Sequence, residues 1–250
     1  MKLKFLGTNG WFSTKTGDTP CVAVFAKGRL IVFDAGNGFS KIAEVCEAAG
    51  VKKIDVFLSH LHLDHVEGLH TLPKIPGGIT VRIYAPKQYL KPLALLLDHP
   101  FTAPPKILKS DVKILPFEGT PKGAPYKIST LPLVHADPCF GYRLEIDGKT
   151  IAYCTDTGPC ENFLKLAKNS DLLITECSLL PGTEISKFWP HLNPETAAAL
   201  AKKSGAKKLA LSHFDANKYR SRALRKAALE KAKRTFKNTI AAKDGLVVEI

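Results

Sequence analysis

Four side chains of metal-ligating type lie within six residues of one another, in the run His60-Leu61-His62-Leu63-Asp64-His65. Imidazole nitrogens and carboxylate oxygens are donors that zinc, manganese and iron accept in proteins. The preceding segment, DVFLS, is typical of a buried strand, so the four side chains are expected on the loop where that strand ends. Such a loop can curl around two cations, and the spacing predicts a metal site rather than an ordinary hydrogen-bonded loop.

Three more side chains of the same type each close an apolar, strand-like segment. His135 ends TLPLVH, Asp156 ends IAYCTD and His213 ends LALSH. Any one of them alone is more typical of a hydrogen-bonded polar residue than of a ligand. Together with the first run, the repeated placement of a ligand at a strand end predicts a two-metal centre. His70 and His99 lack this placement and are interpreted as structural or surface residues.

The elements that must position these residues alternate between two patterns. Short apolar segments rich in β-branched residues recur between Gly, Pro, Asn and Asp, and helical patterns cover residues 38–49, 87–97, 160–168, 194–204 and 221–235. This alternation predicts an α/β protein with two sheets and helices outside them, and residues 1–250 are expected to form one domain. The most irregular stretch, 98–124, is rich in proline and is predicted to be a surface loop.

One acidic residue stands at a predicted turn between a strand and a helix, in the segment FDAGNG. The glycines after Asp34 favour a tight turn that needs a positive φ. Asp34 itself is expected either to cap the next helix or to orient a metal ligand from outside the centre.

Composition excludes several classes of protein. No segment approaches the roughly 18 apolar residues that cross a bilayer, and the N-terminus lacks the features of a secretory signal, so we expect a cytoplasmic protein without a membrane partner. The 6 cysteines are scattered without a C-x-x-C pair. They are therefore predicted to be reduced core residues, and not a disulfide framework or a thiolate zinc site.

Positive charge is concentrated in the last fifty residues. Residues 201–250 hold 14 Lys and Arg against 4 Asp and Glu, in a chain of net charge +13. In the helical segment 221–235, Arg222, Arg225, Lys226 and Lys233 are predicted to share one side. This face is expected either to bind nucleic acid or to be a lysine-rich solvated surface, and the sequence leaves both open.

The chain resembles the metallo-β-lactamase fold over nearly its whole length and, within that fold, the ribonuclease Z branch of phosphodiesterases. The similar segments are LGTNG (6–10), FDAGNG (33–38), SHLHLDHVEGL (59–69), HADPCFGYRLE (135–145), YCTDTGP (153–159), LLITEC (172–177), a histidine at 191 before a helix, LSHF (211–214) and the tail 236–250. The resemblance implies a four-layer αβ/βα sandwich with the metals at one edge of the two sheets. Members of the family often pair, so a homodimer is one expected assembly.

Carried over by position, the resemblance also implies a binuclear hydrolase with two divalent cations. The expected ligands are His60, His62 and His135 for one metal, Asp64, His65 and His213 for the other, and Asp156 as the bridge. The ligand set suits Zn²⁺, and Mn²⁺ and Fe²⁺ also fit. A hydroxide between the metals would attack phosphorus, with Asp64 orienting or deprotonating the water. Glu176 and His191 match a pair that passes a proton to the leaving oxygen.

One departure from bacterial ribonuclease Z bears on the substrate. The long arm that grips tRNA is absent, because Glu145 leads through a predicted Asp147-Gly148 hairpin turn directly to the next strand. A substrate as large as tRNA needs phosphate contacts far beyond the scissile bond. The sequence therefore favours a phosphodiesterase for a nucleotide, cyclic phosphate or short nucleic acid. A tRNA 3′-processing endonuclease of the ribonuclease Z type is the alternative, an ester or lactone hydrolase a further one, and a nucleic-acid-binding protein with a relic site a non-enzymatic one.

Overall fold

The computed structural model describes residues 1–250, which form two large β-sheets and the helices that cover them. The strands are β1 (Lys2–Gly7), β2 (Asn9–Gly10), β3 (Cys21–Ala26), β4 (Arg29–Phe33), β5 (Lys53–Phe57), β6 (Thr80–Ala85), β7 (Asp111–Pro116), β8 (Lys127–Leu133), β9 (Cys139–Ile146), β10 (Lys149–Cys154), β11 (Leu172–Glu176), β12 (Leu209–Ser212), β13 (Phe214–Asp215), β14 (Thr239–Ala241) and β15 (Val247–Glu249). The α-helices are α1 (Ile42–Ala49), α2 (Leu63–Val66), α3 (Leu90–Leu96), α4 (Glu161–Ala167), α5 (Pro194–Ser204) and α6 (Arg222–Lys233). Short 3₁₀ helices span Asn37–Lys41, Glu67–Lys74, Lys87–Tyr89 and Pro105–Ile107.

Each large sheet has a run of four parallel strands that extends to one of its edge strands. The first sheet has the order β15-β1-β3-β4-β5-β6-β7 and the second has the order β14-β12-β11-β10-β9-β8. Strands β4 to β7 are parallel, and so are β10, β11, β12 and β14. Because parallel strands end at the same edge of a sheet, the loops that follow them are brought together there.

Successive side chains of the inner strands pack on opposite faces of each sheet, which gives four layers: helices, first sheet, second sheet, helices. In β4, Leu30 and Val32 pack under the helices of the first sheet, whereas Ile31 and Phe33 point toward the second sheet. A third apolar cluster lies between the second sheet and helices α4 to α6. Successive side chains of a strand face opposite sides, so each sheet buries both of its faces. The predicted αβ/βα sandwich is confirmed.

The five predicted helical segments are all present, and two of them begin at a residue whose side chain caps the helix. The side chain of Asn193 accepts a hydrogen bond from the Thr196 amide in front of Pro194, and Ser221 caps α6 in the same way. The predicted hairpin turn is also confirmed, because Asp147 and Gly148 both have positive φ between the paired strands β9 and β10.

Two stretches are more regular than predicted. In the segment expected to be a loop, residues 60–62 are a loop, but residues 63–65 belong to helix α2, which continues as the 3₁₀ helix Glu67–Lys74. The stretch 98–124 contains a 3₁₀ turn and strand β7, which pairs with β6 along its whole length. None of the helices is long and apolar enough to span a membrane, and the six cysteines are all free.

Candidate metal centre

The seven candidate ligands all follow the carboxyl ends of strands, at one edge of the two sheets. The run from His60 to His65 follows β5 of the first sheet, whereas His135, Asp156 and His213 follow β8, β10 and β12 of the second. The two sheets therefore contribute opposite walls of a single site. Their donor atoms form two groups, in each of which the atoms lie within 4.8 Å of one another.

The first group of donors consists of His60, His62, His135 and Asp156. The Nδ1 atom of His62 lies 3.5 Å from Nε2 of His135, and Nε2 of His60 lies 3.4 Å from Oδ2 of Asp156. His60 is fully buried, and the His62 and His135 side chains reach the edge of a cavity.

The second group consists of Asp64, His65 and His213, all buried. The Nε2 atoms of His65 and His213 are 3.1 Å apart, and Nε2 of His213 lies 3.3 Å from Oδ2 of Asp64. Asp156 connects the groups, since its Oδ2 lies 3.2 Å from Nε2 of His65 and its Oδ1 lies 3.0 Å from Nε2 of His213. The grouping is the one that the sequence resemblance implies.

These donors fit divalent cations. Two ligands that sit about 2.0–2.1 Å from a tetrahedral zinc ion are about 3.3 Å apart, and the donor separations above fall close to that value. The Nε2 atom of His60 is buried without a hydrogen-bond partner, although it points at a carboxylate. Burial lowers the pKa of His60, and it lowers that of His135 to about 4, so both rings are neutral at pH 7. A neutral imidazole is the form that binds a metal.

Four of the five candidate histidines hold an oxygen partner on the ring nitrogen that points away from the other donors. The pairs are His60 Nδ1 with Ser59 Oγ at 3.0 Å, His62 Nε2 with Asp137 Oδ2 at 2.8 Å, His65 Nδ1 with Asp34 Oδ2 at 2.8 Å, and His213 Nδ1 with Ser178 Oγ at 3.1 Å. Such partners fix the orientation of each ring and direct its second nitrogen at a metal. The sequence did not single out Ser59, Asp137 or Ser178.

Asp34 orients the candidate ligand His65 from outside the centre, which is the second of the two roles that the sequence left open. Its buried carboxylate accepts hydrogen bonds from the Ser59 amide at 2.7 Å and the Tyr153 hydroxyl at 2.7 Å, besides the contact with His65. The turn prediction was wrong in one respect, because Asp34 and not a following glycine has the positive φ. The glycines serve close packing instead: a Cβ on Gly36 would lie 2.1 Å from the Asp64 carbonyl oxygen.

Electrostatics at the second group favour positive charge. Burial opposes protonation of His213, but Asp156 and Asp64 outweigh it and raise the pKa of the ring to about 10. Burial is likewise outweighed at His65, whose pKa is raised by Asp64, Asp156 and Asp34. Burial alone would raise the pKa of the Asp156 carboxyl. His213 and His65 outweigh that effect and hold this pKa well below its usual range. The clustered carboxylates thus create a negative potential that stabilises a cation.

The backbone around the centre is strained. Trp11, Asp34, Asp156 and His213 have φ values of +77°, +56°, +45° and +48°, a region that non-glycine residues rarely occupy. Strain of this kind costs on the order of 1–3 kcal/mol per residue and concentrates at functional sites. The neighbouring chain is also tightly fitted, since a Cβ on Gly10 would lie 2.4 Å from the His213 ring.

Glu176 and His191 form a pair beside the candidate metal ligands. The Oε1 atom of the fully buried Glu176 lies 2.8 Å from Nδ1 of His191 and accepts a hydrogen bond from the Thr157 amide at 2.7 Å. Burial opposes protonation of His191, but Glu176 outweighs it and the net effect raises the pKa of the ring. His191 lines the same cavity as the candidate ligands and retains Nε2 as its second donor atom.

The cavity above these residues has a volume of about 460 Å³, within the usual range for a small-molecule site. Its wall includes Trp11, Trp189 and Lys218, which sequence reasoning missed. A signal was available for the first two, because they are the only tryptophans of the chain.

The basic helix departs from its predicted arrangement. Arg225 was expected on an exposed basic face, but it is only 4% exposed and donates to Thr8 Oγ1 at 2.9 Å, while its guanidinium lies over the Phe214 ring at 4.6 Å. The guanidinium also donates to Oδ1 of Asn9, next to the loop that contacts His213. The prediction for Arg225 was wrong because the buried face of α6 is formed by Arg225, Ala228 and Ala232.

The chain is similar to known proteins in sequence and in fold. Residues 29–214 match the model of the beta-lactamase superfamily domain. Ribonuclease Z of Methanosarcina acetivorans is 26% identical over 100% of this chain and 98% of its own, and ribonuclease Z of Pyrococcus abyssi is 26% identical over 84% of each.

Solved structures of similar fold include the metallo-beta-lactamase fold protein YhfI from Bacillus subtilis, with a TM-score of 0.82 and 24% identity over 100% of this chain and 98% of that one. Human tRNase Z, short form, has a TM-score of 0.74 and 23% identity over 100% and 99% of the two chains. The chain therefore belongs to the family of beta-lactamase superfamily domains, and it is a hydrolase of the metallo-β-lactamase fold.

Proposed function

We propose that this chain is a binuclear metal-dependent phosphodiesterase, formed by residues 1–250 as one domain and acting in the cytoplasm. It hydrolyses a nucleotide, cyclic phosphate or short nucleic acid. We assign the two metals, Zn²⁺ in the first instance, to the donors His60, His62, His135 and Asp156 and to the donors Asp64, His65, His213 and the shared Asp156. When bound, two such cations lower the pKa of a water molecule and stabilise negative charge on a phosphoryl group.

The observation that carries the proposal is the Glu176–His191 pair. A buried carboxylate 2.8 Å away raises the pKa of His191 and so favours its protonated form, and the ring borders the same cavity as Asp156. A protonated imidazole in this position can donate its Nε2 proton to the leaving oxygen of a phosphodiester. A hydrolase for amides or lactones has less need of a separate acid next to its metals than one that expels an alkoxide from phosphorus.

Asp64 has a second task in the proposal besides metal binding. Its Oδ2 accepts a hydrogen bond from the Trp11 amide at 2.8 Å, which fixes the carboxylate at the cavity wall. A carboxylate held in this way can orient a water molecule for attack or accept its proton.

Substrate size is inferred from the cavity and from the β9–β10 connection. A volume of about 460 Å³ suits a small ligand such as a single nucleotide unit. The connection at Asp147-Gly148 has two residues, so no arm extends from this position to hold a folded RNA. Both features favour a small phosphodiester.

The second candidate is a tRNA 3′-processing endonuclease. It is favoured by the curated relatives, which are named ribonuclease Z and which align with this chain over most or all of its length. The exposed basic residues of α6, among them Arg222 and Lys226, are then a candidate contact for RNA phosphates.

A hydrolysis panel with added Zn²⁺ or Mn²⁺ separates the candidates. It compares bis-p-nitrophenyl phosphate, cyclic nucleotides, a dinucleoside monophosphate, a precursor tRNA and a lactone. We expect turnover of the small phosphodiesters. Cleavage of the tRNA at a single position, with slow turnover of the small esters, would instead favour the endonuclease, and turnover of the lactone alone would refute the phosphodiesterase.

A further inference from the structure

Both tryptophans of the chain border the cavity, and both are exposed. The residues Trp11 and Trp189 are 66% and 54% accessible, although large apolar rings are usually covered in a folded protein. Each has an exposed aromatic neighbour in sequence, Phe12 at 40% and Phe188 at 91%. The mouth of the candidate metal centre is therefore flanked by two pairs of exposed aromatic residues.

Trp11 is held beside the second group of donors. Its amide donates to Oδ2 of Asp64 at 2.8 Å, its φ of +77° is unfavourable for a residue with a side chain, and its ring meets Phe12 edge-to-face at 5.2 Å. A strained backbone that exposes an aromatic ring contributes nothing to the core. It does fix the backbone from which the ring projects relative to the carboxylate.

Trp189 is held beside the first group of donors. Its ring lies parallel to His62, with 6.0 Å between centroids and 8° between planes, and 5.6 Å from the centroid of His135. The side chain of Ser186 accepts hydrogen bonds from the amides of Phe188 and Trp189, both at 3.2 Å. The loop between β11 and α5 thus presents this ring in a defined position.

We propose that Trp11 and Trp189 are stacking platforms for the two nucleobases that flank the scissile phosphate. The inference rests on the proposed phosphodiesterase function and names its substrate class, a dinucleotide unit of a single strand. The Trp189 ring stands beside the first group of donors, and the Trp11 backbone is bonded to Asp64 of the second group, so a phosphate between the groups lies between the two residues. Every base has a planar π-face, and stacking on an aromatic side chain selects bases without regard to sequence.

Single strands are favoured over duplexes by the same argument. In a duplex the faces of each base are covered by neighbouring base pairs, so neither ring could stack on them without disruption of the helix. A substrate without bases leaves both tryptophans in water and gains nothing from them.

Intrinsic fluorescence tests the platforms without any need for turnover, because no tryptophan lies elsewhere in the chain. Trp11→Phe and Trp189→Phe each leave one reporter. We expect adenosine 5′-monophosphate to quench the remaining tryptophan in each variant, with and without Zn²⁺, and ribose 5-phosphate to leave it unquenched. Equal quenching by both ligands, or quenching by neither, would overturn the proposal.

Kinetics supply the second test. For a dinucleoside monophosphate such as UpU, we expect Trp11→Ala and Trp189→Ala each to lose about 5- to 150-fold in kcat/KM, the range for one stacked base. For methyl p-nitrophenyl phosphate, which has no base, we expect a clearly smaller loss. Phe101→Ala is the matched control, since Phe101 is 63% exposed but lies outside the cavity.

Equal losses on the two substrates would mean that the rings support the metal site structurally, which would overturn the inference. Failure of the proposed function is distinguishable from this result. In that case the wild-type protein hydrolyses no phosphodiester at all, while the fluorescence titration still reports whether bases bind.

Discussion

His191→Ala tests the proton-delivery step, because the proposed mechanism gives this ring one task. General acid catalysis by a positioned side chain contributes about 10²- to 10⁴-fold to a rate. The upper half of this range is expected here, because Glu176 is fully buried, lies 2.8 Å from the ring and raises its pKa. We therefore expect about 10³- to 10⁴-fold loss of kcat on UpU, whose leaving group is an alkoxide. On bis-p-nitrophenyl phosphate the loss should be small, because p-nitrophenolate departs without a proton.

The pH dependence of kcat/KM tests whether His191 acts in its protonated form. His191 acts in its protonated form, so activity on UpU should fall as the pH rises through the pKa of this ring, which Glu176 raises above its usual value. Glu176→Gln removes the raising influence, and burial, which lowers the pKa, remains. The falling limb should therefore move to lower pH. The assay is a pair of pH–rate profiles on fully metal-loaded protein.

His70→Ala is the matched control, since His70 is an exposed histidine outside the cavity. The metal content of each variant must equal that of the wild-type protein. Equal losses on UpU and on bis-p-nitrophenyl phosphate would refute the acid role, because a ring that only positions a metal or the substrate affects both reactions alike.

Three further substitutions test other parts of the site. Gly10→Ala should reduce kcat/KM about 10²-fold, because its Cβ would lie 2.4 Å from the His213 ring and displace it. Asp137→Ala should weaken metal binding about tenfold, as measured by competition with a chelator. This is the low end of the usual range for the loss of a residue that orients a metal ligand, because the carboxylate that contacts His62 is 60% exposed. Arg225→Met should lower the free energy of unfolding by about 1–3 kcal/mol in urea, since it removes the hydrogen bonds that the buried guanidinium donates to the side chains of Thr8 and Asn9.

Each of these substitutions has a control with the same chemical change. Gly77→Ala adds a Cβ whose nearest contact is 3.4 Å away, Asp147→Ala removes a carboxylate with 55% exposure from a surface ion pair, and Arg222→Met removes an exposed guanidinium of the same helix. If a control substitution caused the same loss as its test substitution, the loss would come from the type of substitution and not from the site.

Strand-end ligands could be predicted from the sequence because their signal is local. His135, Asp156 and His213 each terminate an apolar strand, and parallel strands of one sheet end together. Spacing alone thus indicates which side chains meet. The division into two groups of donors required the family resemblance, because it depends on how the two sheets face each other.

The misplacement of Arg225 and the omission of Ser178 have one cause, since both act through contacts that are distant along the chain. Arg225 reaches Thr8 across 217 residues, and Ser178 reaches His213 across 35. Helical periodicity placed Arg225 on the wrong face because it weighs an arginine as polar, whereas here its guanidinium satisfies buried oxygens and covers Phe214. No local pattern reports such a partner.

Elemental analysis of the purified protein after reconstitution with Zn²⁺ tests most directly whether the seven side chains bind two metal ions. We predict two ions per wild-type chain and fewer than two for Asp156→Ala, which removes the carboxylate shared by both groups of donors. One ion or none in the wild-type protein, or two ions in the Asp156 variant, would contradict the binuclear centre.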